Sequence, residues 1–246
     1  MADYDNRVIG STSAATAVDA GLRAYMLRVY NYMVIGLVLT GISAWVVATV
    51  PEVQRLFFTV NQQTGQYGLS ILGWVAFLAP LGLVLFLSFR IQKMSLGAAQ
   101  ATFWIYASIM GVSLAPILLL YTGASVAQTF FITAGTFGAM SLWGYTTKRD
   151  LSGFGSFLFM GLIGIIIASV VNIWLQSTMM SWIVSILGVL IFTGLTAYDT
   201  QWIKNNYDVN DDGSAQGRKA IFGALKLYLD FVNLFLMLMR LMGNRR

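Results

Sequence analysis

Two aspartates stand where a membrane segment should hold none. Asp199, in "LTAYDTQWIK", ends a run of 48 residues, Leu151 to Tyr198, that holds no Asp, Glu, Lys, Arg or His. Asp230 lies in "KLYLDFVNLFLMLMRLM", the last long apolar segment. At a helix centre in a bilayer each would cost about 2.5–3.5 kcal/mol, and such residues usually face a water-filled cavity, an ion path or a partner. Lys226, Asp230, Asn233, Met237 and Arg240 recur at helical spacing. At about 100° per residue they share an arc of roughly 80°, so one face of this segment is polar and must look into a bundle.

If the two carboxyl groups meet, both cannot easily ionise, and they share a proton. The pair would also offer hard oxygen ligands, which suit Ca²⁺ rather than a soft metal. Asp199 and Asp230 are therefore the candidate metal ligands and the candidate proton sensor, with protons and calcium ions competing for them. Two plainer readings stand beside this one. Asp199 could be hydrated near the interface, and Asp230 could only neutralise Lys226, one turn away on its own helix. The chain has no His and no Cys. Disulfides, thiolate chemistry and a histidine pH switch are excluded, and no cofactor is implied.

The elements that must hold these residues follow from composition. Of 246 residues 57% are apolar and only 10% charged, with a mean hydropathy of +0.71; soluble domains carry about 25% charged residues. The fold class is an all-α integral membrane protein. With about 20 apolar residues per crossing, six spans are expected near 25–50, 70–90, 98–120, 126–146, 155–175 and 181–203. Residues 219–242 form a seventh segment, which either crosses or turns back. Residues 1–20 read as a polar cytoplasmic tail without a cleavable leader, and residues 21–246 as one membrane domain.

A cytoplasmic N-terminus makes the connections alternate in charge. Ten basic residues, from Arg7 to Lys219, then fall inside, and Arg55 alone falls outside. That bias sets the expected orientation. Only Arg240, Arg245 and Arg246 oppose it if the seventh segment crosses. The net charge of +5 is scattered between apolar runs, so it reads as a topology signal, with a lipid bilayer rather than nucleic acid as partner. Glycines within spans, such as Gly161 with Gly164 and Gly135 near Ala139, are expected to be packing positions. Asn172 is expected to make an interhelical hydrogen bond. "DVNDDGS", Asp208 to Ser214, imitates the opening of a calcium-binding loop, but its twelfth position is Lys219 rather than glutamate; a solvated turn is expected.

"TGLTAYDTQWIK" followed by "KLYLDFVNLFLMLMRLMG", with "TKRDLSGFGSFLFMGLIGIIIASVVN" before them, resembles the Bax inhibitor family, also called the transmembrane Bax inhibitor motif family, in a bacterial-type member. The resemblance covers roughly residues 20–243. It implies a seven-transmembrane-helix bundle with a central C-terminal helix, and a pH-sensitive calcium leak in the membrane. Asp199 and Asp230 match the aspartates of the gate, and Arg90 in "LSFRIQKMSLG" matches an arginine linked to them, with Lys93 close by. It further implies a bacterial inner (plasma) membrane location and no enzymatic activity. A proton-coupled cation exchanger and a regulatory scaffold binding other membrane proteins would use the same pair. An intramembrane aspartyl protease is the remaining rival; its Gly-x-Gly-Asp and Pro-Ala-Leu segments are missing.

Overall fold

The structure, a computed structural model, describes residues 2–60 and 67–246, with side chains from Ala20 onward except those of Val60 and Tyr67. It is almost wholly helical. In chain order the elements are α1 (Ala2–Thr49), α2 (Pro51–Phe57), a hairpin of β1 (Phe58–Val60) and β2 (Tyr67–Leu69), α3 (Ile71–Arg90), α4 (Leu96–Leu120), α5 (Gly123–Thr146), α6 (Ser152–Leu175), α7 (Thr178–Asn205) and α8 (Gly213–Met242). A single 3-10 turn, Ile91–Lys93, joins α3 to α4. From Ala2 to Ala20 the chain continues the backbone of α1; residue 1 and the side chains through residue 19 lie outside the described residues.

Local chemistry starts the helices where the chain turns. Ser70, Ser95, Thr122, Ser177 and Asp212 each accept a hydrogen bond from the backbone amide three residues on, which satisfies one of the amides a helix N-terminus leaves free. Between α6 and α7 the chain reverses in two residues, with Gln176 in the left-handed region at φ 49°. Asn172 secures this turn: its Oδ1 accepts from the Ser177 amide at 2.9 Å and its Nδ2 donates to Ser181 Oγ at 2.7 Å. The expected interhelical role of Asn172 is thereby met.

Among the described residues six helices are long and apolar enough to cross a membrane, and α8 is one of them; the spans are Ala20–Thr49, Ile71–Lys93, Leu96–Leu120, Ser152–Leu175, Thr178–Asn205 and Gly213–Met242. The sixth is therefore the segment left open by the sequence, while α5, expected as a clear span, falls below them in apolar content. The reason is its run of Thr, Ser, Gly and Gln. Its Ser125, Thr129, Thr133 and Ser141 are buried, so the polarity of α5 faces the protein. Large apolar side chains on the outer surfaces, among them Trp74, Phe131, Phe157 and Trp174, are exposed, as a lipid-facing surface requires.

α8 packs against α7, α1, α5 and α4, and 61% of its most apolar stretch is buried, against 17–33% in the other five. It accompanies α4 from end to end. Gly217 near its start is backed by Leu96 at the start of α4. Beyond its end, Thr122 N donates to Asn244 O at 3.1 Å and Arg246 N to Leu120 O at 2.9 Å. Buried hydroxyls tie the helices together. Tyr228 of α8 meets Thr40 of α1 at 2.6 Å, and Thr40 donates to Ala107 O of α4 at 2.9 Å. Tyr30, Ser141 and Thr200 link α1, α5 and α7 through contacts of 2.6 and 2.9 Å.

The closest helix approaches run over glycines that the sequence does not single out. A Cβ on Gly111 would collide with the backbone of Thr40, and one on Gly144 with that of Ala197. Gly164 and Gly135, expected to pack, have nothing within 4 Å of a Cβ, and at Gly161 only the Ile191 side chain comes near. Spacing of small residues shows that helices can approach, not which face does.

Candidate functional site

α7 and α8 run antiparallel, and three contacts set their register: Gly223 lies against Ile203, Lys226 against Asp199, and Met237 against Gly188. The same register puts Asp230 level with Leu195, about one helical turn, or about 6 Å, along α7 from Asp199. Asp199 and Lys226 thus form one layer of the site, and Asp230 the next layer away from the α7–α8 loop.

Both aspartates are buried, at 7% and 4% exposure, on neighbouring helices about one turn apart in register. Ionised carboxylates only accept, so a bond between the two would need one proton held between them. Oδ2 of Asp230 is buried and has no hydrogen-bond partner among the described residues. Lys226 Nζ donates to Asp199 Oδ1 at 2.8 Å. The plainer expectation that Lys226 neutralises Asp230 on its own helix is corrected: the lysine reaches across to α7, because the register places Asp199 opposite it. The idle, hydrated reading of Asp199 does not fit its burial and its ion pair.

The three charged groups line a cavity of about 870 Å³. α6, α7 and α8 form its walls, with Ser88 of α3 contributing; its sides are largely apolar, and Asn233 and Met237 continue the polar stripe of α8 along it. Four of the five stripe residues therefore share one wall. The fifth, Arg240, is exposed in the last turn of α8.

Arg90 is placed apart from the two aspartates. It is exposed at the end of α3, two residues beyond Ser88, does not line the cavity, and has no ion pair among the described residues. The cation beside the aspartates is Lys226. The stripe spacing included Lys226 but did not mark it as part of the site. Trp202 is the other residue that went unread: its ring centroid lies 4.7 Å from Lys226 Nζ, and its place in "YDTQWIK" does not mark it as a partner for a cation.

Among the described residues, no group of three or more His, Cys, Asp or Glu side chains gathers as a metal site. The Asp208–Ser214 segment forms the expected turn and also caps α8. Asp212 accepts from Ala215 N, Asp208 from Asn210 N, and Asp211 pairs with Lys219 at 2.5 Å. The position that would have needed glutamate thus supplies a counter-charge instead. Above the site, Gln201 clamps the α5–α6 connection, donating to Arg149 O and accepting from Leu151 N, both at 2.8 Å.

A family model described as inhibitor of apoptosis-promoting Bax1 matches residues 22–246. The inner membrane protein YbhL of Escherichia coli K12 is 51% identical over 229 residues, covering 92% of this chain and 94% of that protein. An uncharacterized protein of Rickettsia prowazekii is 46% identical over 246 residues, the whole of both chains. An uncharacterized membrane protein of Streptococcus pyogenes is 34% identical over 229 residues, covering 93% of this chain and 96% of that one. With apolar helices of crossing length and a family match from the first span to the last residue, the chain is a multi-pass integral membrane protein that belongs to the Bax inhibitor family.

Proposed function

We propose that the protein is a calcium leak channel of the membrane, gated by the proton that Asp199 and Asp230 share. The observation that carries this reading is the pair itself: two buried carboxyl groups from consecutive helices, one layer apart, on the wall of one cavity. A proton held between them leaves fewer free oxygens for a cation, and a cation drawing on both oxygens displaces the proton. Two carboxylates are too few for a closed calcium site, which takes 6–8 oxygens. They suit an ion that keeps part of its water and moves on.

The reading includes seven crossings, a central α8 and a cytoplasmic N-terminus. The 24 residues of α5, without a charged side chain, reach about 36 Å at 1.5 Å per residue, enough for a bilayer core. The agreement of α8 with α4 at both ends favours a full crossing over a re-entrant turn, and its burial favours the central position. The charge asymmetry of the connections supports the orientation, and the E. coli relative's name supports an inner membrane.

The test is Ca²⁺ flux into liposomes holding the purified protein, measured from pH 5 to pH 8 beside Asp199→Asn and Asp230→Asn. The native protein is expected to show flux that varies with pH, and either variant a flattened profile, since each removes the shared-proton site. A pH profile fully retained in both variants would overturn the mechanism. A fixed proton-to-calcium stoichiometry would move the function to an exchanger.

A further inference from the structure

We propose that the Lys226 ammonium is the resident cation of the carboxylate site, a tethered competitor that an entering metal ion must displace. The proposal rests on the channel reading and names a regulator of the same site. Its basis is the placement of one side chain. Lys226 is one turn from Asp230 on its own helix, yet its ammonium sits 2.8 Å from Asp199 Oδ1 across the α7–α8 contact. It lies over the Trp202 ring at 4.7 Å and lines the cavity that both aspartates line. Among the described residues no other charged side chain lines it. With one proton shared between the carboxyl groups, the lysine brings the site to neutrality, the state a low-dielectric surrounding favours.

A calcium ion bound to Asp199 would lie 2.3–2.6 Å from a carboxylate oxygen. An ammonium hydrogen-bonded to the same oxygen would then face a divalent charge at close range, so the two cations exclude each other. Lysine suits this use because its charge is compact and its four-carbon stem is flexible. An intramolecular competitor weakens apparent affinity by the fraction of time it leaves the site free. The aromatic face of Trp202 adds to its hold on the ammonium, so loosening that contact acts in the same direction as removing the lysine.

The experiment compares Ca²⁺ binding by the purified full-length chain in detergent at pH 8, where protons compete least, with Ca²⁺ flux in liposomes. The proteins are native, Lys226→Gln, Lys226→Arg and Trp202→Leu. Lys226→Gln is expected to lower the half-saturating calcium concentration by at least about tenfold, corresponding to a site free no more than about a tenth of the time. Lys226→Arg, which keeps the charge, is expected to stay within about threefold of native. Trp202→Leu is expected to fall between native and Lys226→Gln, and it carries the test if Lys226→Gln does not fold. Half-saturation in Lys226→Gln, or in Trp202→Leu where that variant carries the test, no lower than native, in a protein whose native form conducts, overturns the tethered competitor and leaves the channel standing. Neither binding nor flux in any of the four proteins overturns both.

Discussion

Replacing Gly144 with alanine tests how tightly α5 and α7 must meet to hold the site. A Cβ at Gly144 would lie 2.8 Å from the carbonyl carbon and the Cα of Ala197, and nearer still to its oxygen. These are backbone atoms that no rotamer change can move. Ordinary contact lies at 3.4–4 Å, so the helices must part by about 1 Å at this point. Overpacking of this kind costs about 1–3 kcal/mol, against a gain of up to about 1 kcal/mol for alanine over glycine within a helix. With the full offset the net loss is up to about 2 kcal/mol, or a thermal midpoint lower by up to about 8 °C for a chain of this size. Gly135, on the same helix, has nothing within 4 Å of a Cβ, so Gly135→Ala is expected to be neutral or stabilising. Because Asp199 follows Ala197 by two residues, the displaced α7 also disturbs the Asp199–Lys226 contact, and Gly144→Ala is expected to alter calcium flux where Gly135→Ala does not. Thermal unfolding of both variants in one detergent decides the matter. A Gly144→Ala protein as stable as Gly135→Ala would refute the close backbone approach.

Other outcomes follow from the same contacts. Gln201→Leu leaves the Arg149 carbonyl and the Leu151 amide without their partner, at a cost of about 1–3 kcal/mol; trypsin is expected to cut faster after Lys148 and Arg149, and an unchanged digestion rate would remove the clamp. The chain has no cysteine, so single cysteines report sidedness without background. Cysteines at Arg246 and Gly123 are expected to react with an impermeant maleimide from one face of the membrane, and one at Asn210 from the other. Labelling of all three from the same face would mean that α8 turns back.

Lys226 and the glycines separate what spacing along one helix carries from what packing decides. Helical spacing put Lys226, Asp230, Asn233 and Met237 on one face, and a bilayer excludes such a face from lipid, so their common wall was legible before any tertiary contact was known. Spacing on one helix carries no information about its offset against another. Only the packing of α7 on α8 pairs Lys226 with Asp199 rather than with Asp230, and Arg90, exposed at the end of α3, lies outside the cavity. The glycines divide for the same reason. Gly164 and Gly135 fit a small-residue pattern as well as Gly144 does, but the pattern lacks the partner backbone, and that backbone selects Gly144 and Gly111.

Composition and periodicity by themselves determined that this chain lives in a bilayer, where its helices lie, and that Asp199 and Asp230 must face inward, because hydrocarbon penalises charge regardless of topology. Tertiary structure alone decided which cation meets which carboxylate, since that depends on how two helices slide and rotate against each other, and contacts between residues far apart in the chain set that offset.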